Sequence, residues 1–565
     1  MSATEMDSLR VAFMYHQAGR LEEAEAGYRQ VIETFPEQDQ AILMLGLIVF
    51  DRSDWAGAEA LFERLLEISP EHGVALHYLG RIRQNTGDDR AAVEFFRRAV
   101  AAKPDLAPIY NDLAVALNRL GQRDEALEQL DRALAIDPNY AVAHSNRGQV
   151  LYDLRRHLDA AQAHLQALAH TPLDQAEDRK GILLNLSLAA IEAGELAAAE
   201  RACRAILEME PGDADAIDQL AKVLDRQLRD AEALELRNKL ARDRGLVREG
   251  KESNPEATVL LLGAVGAGHV PTRYLFDPAH FTTLTLNLLS PDQADAPFGP
   301  IPWPDFAHAD LVFNTLGEIE KSGGQFDAVA KIYTDLGKPV LNPIPSILRT
   351  GREQAPEVFG DIPHLVVPAV RWIDREDLAV IDVRSPVLVR PGGAHGGKDL
   401  ALIETPEDIA AYLEHVPYGR FLLTDFHDFK LADGQYRKYR MIFVDREPYP
   451  YHLAIGDHWL VHYWRAEMGR SEDKKREEEA FLTDWRAVFG PQGAAAVEEV
   501  ARRLDLDYGG MDCSILPDGR VLFFESNACM LVHLDDSAVE FPYKHAAVPR
   551  IRDAVTRMVR NRTGR

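Results

Sequence analysis

Small, apolar and proline positions return with a fixed period over the first 240 residues. Prolines stand at Pro36, Pro70, Pro104, Pro138 and Pro172, each 34 residues after the last, and Pro211 follows after 39. Ala24, Ala58, Ala92, Ala126, Ala160 and Ala199 share one phase, and Ala12, Gly46, Gly80, Ala114, Gly148, Ser187 and Ala221 share another. Bulky residues recur four places after the first set, at Tyr28, Phe62, Phe96, Leu130 and His164, with Cys203 a weaker sixth. Small residues at two fixed places let a pair of helices cross closely. From residue 256 the pattern changes. Apolar runs at 258–265, 284–288 and 309–314 predict strands, and 321–336 predicts a helix with Phe326, Val329, Ala330 and Tyr333 at helical spacing. Such alternation points to a parallel sheet covered by helices. Further strands are predicted at 386–391, 400–404, 420–426, 437–444, 451–455 and 459–464, then a charged helical stretch at 472–489. Runs at 511–516 and 521–525 flank Pro517, Asp518, Gly519 and Arg520, a tight hairpin.

The 34-residue period, with its small, bulky and proline positions, resembles the tetratricopeptide repeat over roughly residues 5–240. The resemblance implies an all-α helical-repeat solenoid over 1–242, about six repeats and a degenerate capping unit from 213, in which stacked helix pairs share a continuous core and a concave face. Five extra residues near 175–179 are expected to lengthen a loop, and 243–255 to be a linker. The concave face of such arrays commonly holds a peptide or protein segment, while a scaffold or dimer surface remains the alternative. His77, Tyr78, Asn111, Asn118, His144, Asn146 and Arg147 fall on predicted groove-lining helices.

Composition narrows the partners. The 565 residues are too many for one core and carry a formal charge of -27, which argues against a nucleic-acid or anionic-membrane partner. The first residues, acidic and without an apolar centre, do not read as a signal peptide, and no run reaches the roughly 18 apolar residues of a membrane helix. Three widely spaced cysteines, Cys203, Cys513 and Cys529, suggest a reducing compartment and no zinc site, so a cytoplasmic location is expected.

Candidate chemistry concentrates near the C-terminus. Alternation along the predicted hairpin puts Glu525 and Asn527 on one face, where Asp512 of the partner strand joins them. Three hard oxygen donors suit Mg²⁺ held partly by substrate phosphates; ordinary surface acids beside a turn are the alternative. The loop 392–399 carries four glycines and Lys398, so its backbone N–H groups can wrap phosphate oxygens, or it can simply form a hairpin tip. Glycines in 258–270 lack the GxGxxG spacing and read as a strand-end turn. His452, His458 and His462 have no fixed ligand spacing and no cysteine beside them, so they do not make a zinc set.

The order PVLVRP, glycine-rich loop, FLLTDF, RKYRMIFV and then Asp512, Glu525 and Asn527 resembles an ATP-grasp fold ligase, as in D-alanine:D-alanine ligases, glutathione synthetases and ribosomal-protein S6 modification-type ligases. The resemblance covers about 256–560 and implies a multidomain chain: a preceding small α/β domain at 256–370 and α/β (α+β) ATP-grasp lobes at 371–565. Arg390 stands where the family usually has a lysine on the α-phosphate, a change that keeps the charge and alters its geometry. Gly396, Gly397 and Lys398 match the loop over the phosphates. Thr424, Asp425 and Phe426 match the hinge whose backbone meets adenine. Arg440 matches the catalytic arginine, and Asp512, Glu525 and Asn527 match the metal ligands. The cofactors implied are ATP and Mg²⁺, with Mn²⁺ as a substitute. The implied reaction joins a carboxylate to an amine through an acyl-phosphate, on small-molecule or peptide substrates, with the repeats recruiting a peptide or protein. An ATP-grasp kinase and a non-catalytic adaptor carrying a nucleotide-binding fold remain alternatives.

Overall fold

The structure, a computed structural model, describes residues 3–564 apart from 266–271, 290–305, 318, 320–324, 393–398, 464–465, 467, 529, 535 and 539. The chain forms two compact units, Met1–Ala233 and Leu234–Arg565. Among the described residues no helix is long and apolar enough to cross a membrane.

Helices in antiparallel pairs run from α1 (Ala3–Gln17) to α14 (Asp230–Arg244), and the boundary between the units falls inside α14 rather than at 242. The second set of small residues and the bulky set are the two sides of one contact. A Cβ added at Gly46 would lie 2.6 Å from the Phe62 ring, one at Gly80 2.5 Å from Phe96, and one at Gly148 2.6 Å from His164. The small position therefore makes room for the bulky residue of the next helix, and the alanine phase from Ala24 to Ala199 is fully buried. Each proline follows the second helix of a pair by two residues, where the chain must leave the helix. The extra residues near 175–179 do not lengthen a loop. They extend α11 (Ala176–Ala193) to 18 residues, against 13 for α9 (Ala141–Asp153), because Glu177 and Asp178 in its first turn favour helix.

The described strands of the second unit make three sheets. The first has the order β1 (Leu246–Gly250), β3 (Phe281–Leu288), β2 (Ala257–Ala264), β4 (Leu311–Asn314), β5 (Val340–Leu341), parallel except for β1. Strand β2 is buried at every position, as a strand covered on both faces should be. The stretch expected as a linker thus contributes an edge strand. The second sheet, β7 (Val370–Asp374), β10 (Arg420–Asp425), β8 (Val387–Pro391) and β9 (Ala401–Ile403), is antiparallel. The third runs β12 (Glu447–Gly456), β11 (Tyr436–Val444), β13 (Tyr508–Ile515), β14 (Val521–Asn527), β6 (Leu365–Val366).

Val259 and Phe313 of the first sheet share a core with Ile442 and Tyr508 of the third and with Ile551 and Val555 of the helix Pro549–Thr563. The predicted stretch 472–489 divides into Glu472–Thr483 and Trp485–Leu504, because the Asp484 side chain caps the second helix at Ala487 N–H. Phe481 and Phe489 pack edge-on against Tyr439, which commits that face of β11 to the core. Of the strand expected at 459–464, residues 459–463 are irregular and have no pairing partner among the described residues; Trp464 lies outside the described residues.

Candidate functional site

Strand alternation builds the site. Tyr439 points into the core, so Lys438 and Arg440 share the opposite face of β11, across from β13. Asp512 on β13 is fully buried. Arg440 donates from Nε and Nη2 to its two oxygens at 2.7 and 2.9 Å, and Lys438 Nζ stands 2.6 Å away. Burial alone would raise the Asp512 pKa; Arg440 and Lys438 outweigh it and hold the carboxyl far below its usual range. The hairpin forms as expected, closed by Gly519 at φ 84, and Asp512 pairs directly with Glu525. Arg352 Nη2 donates to Glu525 at 2.6 Å, and Arg390 Nη1 stands 3.8 Å off. Against the opposing effect of burial, Arg352 keeps Glu525 ionised, with a pKa of about 2.

Arg352, Arg390, Lys438, Arg440 and Glu525 border a cavity of about 230 Å³ between the second and third sheets. Its lining includes the apolar side chains of Val370, Leu388, Phe429 and Leu460 and the cations Arg352, Arg390, Lys438 and Arg440. Thr424, Asp425 and Phe426 also line it. The N–H groups of Asp425 and Phe426 donate to Ala369 O and Pro386 O at 3.0 and 3.1 Å, so a base here would meet other groups of these residues. Gly396, Gly397 and Lys398 lie outside the described residues. Asn527 lies opposite Gly510, two places along β14 from Glu525.

Asp512 and Glu525 are cross-strand neighbours with Asn527 two places further along β14, and oxygens of this kind fit a Mg²⁺-type cation. Among the described residues no three His, Cys, Asp or Glu side chains are placed to hold a metal by themselves. Such an ion would share the site with phosphate oxygens and exchange with the cations now paired to Asp512 and Glu525. Two of those cations had escaped notice in the sequence. Lys438, two places before Arg440, was legible from strand alternation; Arg352, 173 positions from Glu525, left no local signal.

A second cavity of about 180 Å³ adjoins the first, sharing Lys438, Arg440 and His462. Burial, with Arg440 nearby, pushes the His452 pKa well down, so the ring is neutral. Lys544, 2 % exposed, lies 3.0 Å from Asp536, 3.6 Å from Glu478 and against the Tyr463 hydroxyl. Burial raises the Glu478 pKa in spite of Lys544. His458 lines neither cavity and instead accepts from Leu460 N–H at 3.1 Å.

In the first unit the polar groove candidates lie on the first helix of successive pairs, α5 (Gly73–Asn85), α7 (Ala107–Arg119) and α9. His77, Asn111 and Asn146 join one network through Asp112: His77 to Asp112 at 2.7 Å, Asn111 to Asp112 at 3.1 Å, and Asn146 to Asn111 at 2.8 Å.

Family models described as tetratricopeptide repeats match residues 15–73, 49–117 and 116–154. Among curated proteins none matches this chain. Similar solved structures include PilW, a widely conserved type IV pilus biogenesis factor, at 19% identity, 40% of this chain and 100% of that one, TM-score 0.35. Pseudomonas aeruginosa pilF is 16% identical over 39% of this chain and 97% of its own, TM-score 0.34. YrrB, a TPR protein with an unusual peptide-binding site, is 22% identical over 29% and 86%, TM-score 0.26. The helix pairs of residues 15–154 are tetratricopeptide repeats, a repeat type that suggests a protein-interaction or adaptor role.

Proposed function

We propose that the second unit is an ATP-dependent carboxylate–amine ligase of ATP-grasp type, to which the repeats bring a peptide or protein partner. The observation that carries this reading is the first cavity, whose lining combines apolar side chains with four cations, a combination that suits a flat base joined to a polyphosphate. Asp512, Glu525 and Asn527 would hold Mg²⁺, which would supply charge neutralisation on the phosphates. Arg440 and Lys438 orient the transferring phosphoryl group and stabilise the charge that develops on it. A substrate carboxylate oxygen forms a bond to the γ-phosphorus while the bond to the β–γ bridging oxygen breaks, and ADP leaves with that electron pair. An amine then displaces phosphate from the acyl-phosphate to give an amide. Positioning supplies most of the acceleration, since no covalent enzyme intermediate is needed.

The repeats by themselves favour the adaptor alternative, and turnover separates the readings. Purified full-length protein with Mg²⁺-ATP is screened against amino acids, other small carboxylates and peptides for release of ADP. A ligase gives amide with equimolar ADP and phosphate, a kinase gives a phosphorylated acceptor, and an adaptor gives neither. Substrate-dependent ADP release that survives Glu525→Ala unchanged would sink the assignment of the site.

A further inference from the structure

The second cavity has the features of a built site. Its floor is the β11–β12 pair, where Lys438 faces Ala454 and Arg440 faces His452 across the strands. Lys544, Asp536 and Tyr463 close it from later segments, and Leu531 and Val548 add apolar wall. Three cations, Lys438, Arg440 and Lys544, line it against a single carboxylate, Asp536, which Lys544 already engages. Asp512, which pairs with Lys438 and Arg440, and Glu478, 3.6 Å from Lys544, do not line the cavity. Arg440 spends Nε and Nη2 on Asp512, so Nη1 is not engaged by that carboxylate. A space so lined attracts an anion with an apolar body. Its size sets a limit, because a cavity of about 150 Å³ just accommodates benzene.

We infer that the second cavity seats the acid substrate, a small monocarboxylate of about ten non-hydrogen atoms or fewer with an apolar or aromatic body. This rests on the nucleotide reading of the first cavity. The carboxylate lies at Lys438 and Arg440, the side chains common to both cavities, which places it beside the phosphoryl group it attacks. The body lies against Tyr463, Leu531 and Val548. A peptide or protein recruited by the repeats then contributes the amine, since a cavity of about 180 Å³ leaves little room for a polypeptide carboxyl with its neighbours.

The test reads the two cavities separately on the full-length chain. Saturation-transfer NMR, without nucleotide, measures binding of a fixed panel: straight-chain monocarboxylates from acetate to octanoate, benzoate, phenylacetate and the proteinogenic amino acids. Calorimetry measures ADP. Ala454→Leu fills the second cavity from β12. Val548→Phe fills it from the other side and guards against a folding defect in one strand. The expected result is that a monocarboxylate binds wild type, that both variants weaken it tenfold or more, and that ADP affinity changes less than twofold. No binding from the panel, or binding equal in wild type and both variants, overturns the inference. Displacement of the probe by inorganic phosphate at equal concentration overturns the carboxylate class. Absence of ADP binding in the wild type counts against the nucleotide reading alone, because the NMR experiment still reports on the second cavity.

Discussion

Arg440 and Asp512 face each other across β11 and β13, and the guanidinium meets both carboxylate oxygens at 2.7 and 2.9 Å while Asp512 is fully buried. Asp512→Ala leaves Arg440 and Lys438 without the acid that offsets their desolvation, so urea unfolding of the variant should show a loss of about 3 kcal/mol. Asp512→Asn, which keeps the shape and one acceptor, should lose less.

The same arginine should govern turnover. Arg440→Ala removes a donor aimed at developing charge, and the ADP-forming rate should fall about 100-fold, which corresponds to about 2.7 kcal/mol. Arg440→Lys keeps the charge but not the fork and should recover only part of it. Steady-state kinetics with the substrate found in the screen would check both.

His164 makes the stability of the repeats depend on pH. Burial lowers its pKa from 6.5 to about 4. The folded chain therefore binds fewer protons than the unfolded chain, whose ring protonates below 6.5, and stability is lost as pH falls from 6.5 towards 4. The full loss from this group is about 3 kcal/mol. His164→Phe, which copies the Gly46–Phe62 and Gly80–Phe96 pairs, should flatten this part of a plot of melting temperature against pH.

Gly80 tests the close crossing of helices. Gly80→Ala puts a methyl 2.5 Å from the Phe96 ring, and overpacking of this kind costs about 1–3 kcal/mol, enough to offset the gain of about 1 kcal/mol in helix propensity. Thermal unfolding should show a net loss. Gly80→Ala combined with Phe96→Leu should restore most of it.

Asn342 ties the first sheet to the third. It donates from Nδ2 to Tyr508 O at 2.7 Å and accepts from Tyr508 N–H at 2.9 Å, and is fully buried. Asn342→Leu strands two buried backbone groups and should cost about 2–3 kcal/mol in a urea titration.

The repeats were legible because each unit presents the same burial problem to its neighbour, and a period of 34 records that solution several times over. The hairpin was legible for a related reason: alternation about a Gly turn fixes which side chains share a face, so Asp512 met Glu525 as expected. Local pattern was less informative where length or pairing decides the outcome. The residues near 175–179 became helix, 243–255 yielded strand β1, and 459–463 found no partner strand among the described residues.

What the sequence determined by itself was the helical array, most of the longer strands of the second unit and the face on which Asp512, Glu525 and Arg440 lie. Tertiary structure decided which charges meet. Arg352 reaches Glu525 across 173 positions, and Lys544 is buried against Glu478 and Asp536 beside the second cavity. Periodicity records whether a side chain faces core or solvent, whereas an ion pair depends on how separate elements close on one another, and that closure is a property of the packed chain.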